Sequence, residues 1–223
     1  MEYVIVPGNH DCNFGNDSQN RRLIIDSLRS NIGIELRDNS VINTLSEIQD
    51  EFFGLLEALS NRKYEGPDRL SYEYQFPLEK INIVFRCYNT AWTNDKENKR
   101  GTNFFPSKYL RQRRNETDIV CSVFHHPYLW FDVENGRAFR RFIEENSDII
   151  LTGHEHELDQ ISQKKISGTQ NEFLNGGRLQ GDEYSESKFQ VLIIDTNVNA
   201  FQCVQFSWMG DKYTKTNEAR LVR

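Results

Sequence analysis

The 223-residue sequence has no C-x-x-C pair. Its four cysteines, Cys12, Cys87, Cys121 and Cys203, lie far apart. That spacing argues against a cysteine-built zinc site. The cysteines read instead as small buried residues of a reducing compartment, which points to the cytoplasm. Cys12 has a second reading, because it directly follows a histidine-bearing motif and can lie beside a metal. No apolar run approaches the roughly 18 residues of a membrane-spanning helix. Positive charge is not in excess, with 27 Lys and Arg against 33 Asp and Glu and a formal net charge of −6. This balance argues against a general nucleic-acid coat, which is usually basic. It leaves a nuclease open, because bound divalent cations change the local field. Internal repeats and low-complexity linkers are also absent.

Histidine is scarce, yet none of the five is scattered. They are His10 in Pro7-Gly8-Asn9-His10-Asp11, His125 and His126 in Val123-Phe124-His125-His126-Pro127, and His154 and His156 in Leu151-Thr152-Gly153-His154-Glu155-His156. Imidazole is the commonest neutral metal ligand. A chain that reserves it for three motifs is expected to build one site from three loops.

The chain is long enough to bury a sizeable core, and 15 Phe, 9 Tyr and 3 Trp supply large anchors. Met1 to Val6 reads as a strand leading into the first motif. Helical spacing of Leu23, Ile24, Ile25 and Leu28 predicts a helix over 18–31. A second helix is expected after Asn43 as N-cap, with Leu45, Ile48, Phe52, Leu55, Leu56 and Leu59 on its apolar side. Residues 61–68 and 93–100 read as loops, and a short helix follows Pro106. Strands are expected at 71–76, 81–88, 118–124 and 147–152, with a helix at 137–146. Strand-like runs then dominate, at 158–166, 171–175, 189–195 and 200–208. A polar, frayed tail is expected over 211–223.

Each motif sits where a strand ends and a loop begins, so ligands at neighbouring strand ends can converge on one crevice. Gly8 suits a tight turn. His154 and His156, two positions apart, can address two neighbouring metals. A shift of one residue swaps the faces of His125 and His126, so the choice between them stays open. Taken singly, each motif also reads as a polar turn with incidental histidines. Arg111, Arg113 and Arg114, and Arg137, Arg140 and Arg141, either steer an anionic substrate or, as is commoner, form solvated faces. Asn89 to Trp92 ends a buried strand and can shape a pocket. Asn175-Gly176-Gly177-Arg178 borders the site or is a simple hairpin turn.

The order and spacing of these motifs resemble the calcineurin-like metallophosphoesterases. That family carries D-x-H, G-D-x-x-D/N, G-N-H-D/E, a lone His and G-H-x-H in order. Gly8-Asn9-His10-Asp11, His125 and Gly153-His154-Glu155-His156 match the last three, while the first two are missing. The likeness runs from Val4 to about Trp208. It implies an α/β fold, a four-layer sheet sandwich flanked by helices, forming one domain over 1–210 without its first strand–helix units. It implies metal ligation by Asn9, His125 and His154 at one ion and by His156 at a second. His10 then faces the substrate and protonates the leaving group, with Asp11 orienting its ring, while His126 and Asn89 face the substrate or stand behind the ligands. The implied cofactors are two divalent ions, Mn, Fe or Zn, in a complete protein, with at most one well held by this chain. The implied activity is metal-dependent hydrolysis of phosphomonoesters or phosphodiesters. The partner would be a missing N-terminal segment or a complementing chain that brings the absent ligands. The alternatives are an incomplete remnant or regulatory binding module, and a nuclease of the same family.

Overall fold

The computed structural model describes residues 3–30, 38–79, 81–156, 159–164, 170–179, 187–198 and 200–222. The chain divides into two compact units, Met1–Ile150 and Leu151–Arg223. The boundary falls inside strand β4 (Ile149–Thr152). The fold is mixed α/β, the class expected.

The first unit contains helices α1 (Gln19–Ser30), α2 (Asn39–Ser46), α3 (Asp50–Ser60) and α4 (Val133–Asn146), and strands β1 (Ser71–Pro77), β2 (Asn82–Tyr88) and β3 (Ile119–Phe124). Its strands run in the order β1-β2-β3-β4. β1 is antiparallel to β2, and β2 is parallel to β3 with Tyr88 opposite Phe124. β3 is buried along almost its whole length, as a parallel strand covered on both faces should be. Asp148 locks the entry to β4 twice. Its amide donates to the Val120 carbonyl (2.8 Å), and its carboxylate accepts from the Val120 amide (2.8 Å).

Under the β3 end lies an aromatic core centred on Phe139 of α4. Its ring lies 4.7 Å from Phe131, 5.2 Å from Phe124, 5.3 Å from Phe105 and 5.9 Å from Tyr88. Phe124 directly precedes His125, so this core sets the floor beneath the histidine pair.

Three local expectations change. The second helix starts before Asn43, at Asn39, capped by the Asp38 carboxylate on the Ser40 amide (2.8 Å). It breaks at a 3-10 turn over Glu47–Gln49 before α3 begins. The cause is local competition for backbone groups. Ser46 bonds back to the Ile42 carbonyl (2.8 Å), and Asn43 turns its amide oxygen to Gly66 N–H (2.9 Å). Residues 3–7 form no strand. Instead, Val4, Ile5 and Val6 pack on Phe53, Tyr64, Tyr72 and Cys87, and Tyr72 donates its hydroxyl to the Ile5 carbonyl (2.6 Å). Arg111 and Arg113 are neither steering charges nor a solvated face. Arg111 binds the Ser71 hydroxyl and carbonyl (2.9 and 2.7 Å), and Arg113 pairs with Asp148 (2.7 Å). Arg140 pairs with Glu144 along α4 (2.6 Å).

In the second unit the order β4-β6-β5 contains the antiparallel hairpin of β5 (Asp159–Lys164) and β6 (Gln170–Asn175). A separate antiparallel sheet joins β7 (Lys188–Asp195), β8 (Ala200–Trp208) and β9 (Tyr213–Val222) in that order. β9 replaces most of the expected polar tail. A tight turn closes Met209 N–H on the Lys212 carbonyl (2.9 Å), with Gly210 at φ +99°. Tyr213 then packs on Phe189 (4.9 Å) and Trp208 (5.1 Å). An antiparallel strand with a wet face needs a ladder partner more than apolar content, so polarity misled the sequence reading. The parts of the expected elements at 1–2, 31, 158, 165–166 and 223 lie outside the described residues. No described helix is long and apolar enough to cross a membrane.

Candidate metal centre

The first motif folds as a 3-10 turn over Asn9–Asp11. This brings the Asp11 carboxylate back onto the Gly8 amide, which donates to it (2.8 Å). Asp11 therefore braces the loop. No hydrogen bond joins it to the His10 ring among the described residues, contrary to the orienting role expected. His10 itself is exposed. Gly8 has an extended backbone (φ −107°), so no special turn demands glycine there. Proximity does: a Cβ at Gly8 would lie 2.7 Å from Cε1 and 2.8 Å from Nδ1 of His125. Gly8→Ala should therefore displace the His125 ring. We expect about 1–3 kcal/mol of destabilisation, as for other overpacked sites, with weakened metal binding. Thermal melting beside metal titration checks this, and an alanine variant matching wild type in both would refute it.

Beneath the motif loop lies a buried polar knot. Gln49 and Asn89 exchange both amide hydrogen bonds (2.7 and 3.2 Å). Asn89 also donates to the Arg69 carbonyl (2.9 Å) and accepts from Ala91 N–H (3.1 Å). Asn89 is fully buried and its amide is committed to the protein, which argues against the substrate-facing one of its two expected placements. Asn13 N–H anchors the loop on the Ile48 carbonyl (2.6 Å). The Cys12 thiol is buried among Gly8 O, Ala91 O and Gln49. Burial pushes its pKa up to about 12, with Arg21 pulling the other way. Cys12 thus supports the loop as a protonated thiol.

The second motif follows β3. His125 Nε2 lies 2.8 Å from Asn9 Oδ1, joining residues 116 positions apart. His126 is fully buried, with Nδ1 and its backbone N–H both on the Thr90 hydroxyl (3.1 and 3.0 Å). Its Nε2 lies 3.5 Å from Asn94 Nδ2. The two imidazoles meet edge-on at 4.8 Å, and Trp130 packs on His126 at 5.8 Å. His125 faces Asn9, and His126 is withdrawn beneath it.

The third motif turns sharply. His154 and His156 both adopt left-handed backbone, at φ +70° and +60°. Such angles are uncommon outside glycine and cluster at functional sites. Glu155 N–H closes on the Gly153 carbonyl (2.8 Å). Thr152 hydrogen-bonds Asn175 through their side chains, and Gly176 N–H donates to the Thr152 carbonyl (2.7 Å), so Asn175-Gly176 borders this turn. His125 and His126 belong to the first unit and His154 to the second. His156 is exposed.

Sequence reading passed over Asn94 and Arg21. Thr90 lies in a segment already expected to shape a pocket. Arg21 gave no signal, because an arginine beside Arg22 on a helix reads as a solvated charge. It is instead fully buried and pairs with Asp17 (3.0 Å). Burial lowers its pKa, and Asp17 opposes that shift.

In this mixed α/β fold a histidine and a carboxamide, His125 and Asn9, meet beyond the end of β3. The chain belongs to the calcineurin-like phosphoesterase family, whose model matches residues 1–158. The family binds divalent metals and acts on phosphate esters. Similar solved structures include a double mutant of Vps29 from Entamoeba histolytica, at 14% identity over 77% of this chain and 76% of that one, with a TM-score of 0.34. Wild-type Vps29 of the same organism complexed with Zn2+ matches at 17% identity over 49% and 67%, with a TM-score of 0.27. Vacuolar Protein Sorting 29 from Cryptosporidium parvum matches at 12% identity over 78% and 76%, with a TM-score of 0.34. These likenesses carry no argument about activity. No curated protein matches the chain.

Proposed function

We propose that this chain is the metal-holding part of a phosphohydrolase, with Asn9, His125 and His154 as ligands of one divalent ion. The observation that carries the proposal is the 2.8 Å approach of Asn9 Oδ1 to His125 Nε2. Two neutral donors from distant loops meet where a shared ion would draw both. Imidazole and amide oxygen together suit Mn, Fe or Zn. A bound ion supplies an activated water and a positive charge for the phosphoryl oxygens. His10, exposed beside Asn9, serves as proton donor to the leaving group. His156 serves a second ion whose other ligands, in the D-x-H and G-D-x-x-D/N motifs, come from another segment of the protein or a complementing chain. Phosphomonoesters and phosphodiesters, nucleic acid included, remain within this reading. The cytoplasm is the proposed location, supported by four free, buried cysteines.

The test is calorimetric titration of the chain with Mn(II) beside hydrolysis of bis(p-nitrophenyl) phosphate. The chain should bind the ion, His125→Ala should lose it, and turnover should stay low until the missing ligands are supplied. Unchanged binding in His125→Ala would sink the reading. A second reading is a binding module that holds metal without turnover. It predicts metal binding with no hydrolysis even after those ligands are restored.

A further inference from the structure

Arg21 is the least expected residue near the site. Its side chain is fully buried, yet it comes from a helix whose neighbouring positions Arg22 and Leu23 are exposed. The guanidinium binds four partners. Nε donates to the Leu45 carbonyl (2.8 Å) and Nη1 to the Asp17 carboxylate (3.0 Å). Nη2 donates to the carbonyls of Trp92 (3.1 Å) and Asn94 (2.7 Å). One planar group therefore joins the start of α1, the end of α2 and the 92–94 loop.

The 92–94 loop has a second attachment. Asn94, 1% exposed, places its amide nitrogen 3.5 Å from His126 Nε2 and 3.3 Å from Asn98 Oδ1. Its backbone N–H is fixed on the Ala91 carbonyl (3.0 Å). His126 in turn holds Thr90 on its other side and meets the edge of the His125 ring. His125 is the residue whose far nitrogen faces Asn9. A continuous row of contacts thus runs from the buried Arg21, Asn94 and His126 to the half-buried His125.

We propose that Arg21 and Asn94 are positioning residues for the metal ligand His125, acting through His126. The inference rests on the proposed metal role of His125. Arginine is required over lysine because only its planar fork reaches both loop carbonyls while keeping Asp17 and Leu45. Lysine would preserve the charge beside Asp17 and abandon the loop. Partners that orient metal ligands commonly change metal affinity by about 10–100-fold when removed.

The experiment titrates Mn(II), followed by the loss of its free electron paramagnetic resonance signal, into wild type, Arg21→Lys, Asn94→Ala and His125→Ala. Each is measured well below its own melting temperature, determined by circular dichroism. Arg21→Lys and Asn94→Ala should each weaken Mn(II) binding by about tenfold or more while the protein remains folded. A merely structural Arg21 would lower the melting temperature and leave the Mn(II) affinity of the folded protein unchanged, and that result overturns the proposal. Should Arg21→Lys fail to fold, Asn94→Ala decides the matter, since it removes no buried charge. If His125→Ala binds Mn(II) like wild type, the metal assignment fails first. If His125→Ala loses the ion and Asn94→Ala keeps it at full affinity, the positioning role alone is refuted.

Discussion

Replacing His10 with alanine should reduce phosphoester turnover by about 10²–10⁴-fold, the scale of a positioned acid, in a form of the protein with its full ligand set. Metal content should stay almost unchanged. The structure supports that separation of effects: the ring is exposed. Asp11, the obvious partner, is committed to the Gly8 amide (2.8 Å), so removing the imidazole leaves the loop brace intact. The deficit should be smaller for nitrophenyl esters, whose leaving groups need little protonation. His154→Ala should behave differently, losing metal together with activity. Metal stoichiometry measured beside kinetics on a good and a poor leaving group separates these outcomes. If His10→Ala strips the ion as thoroughly as His154→Ala, His10 is a ligand and not an acid.

The largest effect on stability should come from Phe139→Ala, at about 3–5 kcal/mol, the usual cost of truncating a buried aromatic ring. Phe139 is 1% exposed and touches the rings of Phe131, Phe124, Phe105, Tyr88 and Tyr128. The cavity would open beneath Phe124, the residue before His125. The neighbours are rings on a strand end, a turn and a helix, which cannot all collapse inward together. Urea unfolding of the variant and wild type gives the number directly. A loss under about 1 kcal/mol, less than a typical core truncation, would mean that the aromatic cluster repacks and does not set the site's floor.

The motif residues were legible because metal-ligand chemistry restricts residue type and because each motif follows a strong apolar run. The strands at 71–76, 118–124 and 189–195 were legible for the same reason, since their apolar content fits strands with one or both faces covered. What failed was polar bookkeeping. Asn89 looked available for a substrate, but only the fold reveals Gln49 opposite it, 40 positions away. Arg111 and Arg113 looked like a charged surface, and their partners are Ser71, which opens β1, and Asp148, which precedes β4. Asp11 looked like the natural companion of His10 until the turn geometry returned it to Gly8. Glycine at position 8 was explained by the wrong cause, since crowding by His125 leaves no trace in local sequence. In each case a hydrogen bond or contact at long sequence separation decided the outcome, and no pattern along the chain encodes it.

The β9 strand changes how the end of this protein should be handled in the laboratory. A polar stretch at a C-terminus invites trimming, and residue 210 looks like a convenient place to stop. Here that cut would remove the ladder partner of β8 from Ala200 to Trp208. It would bare the backbone of a strand that carries Phe201, Val204 and Phe206, an open invitation to pair with another molecule. Affinity tags are better added after Arg223 than substituted for the last ten residues. Shortened versions prepared for crystallisation should keep Tyr213, whose ring closes the aromatic corner with Phe189 and Trp208.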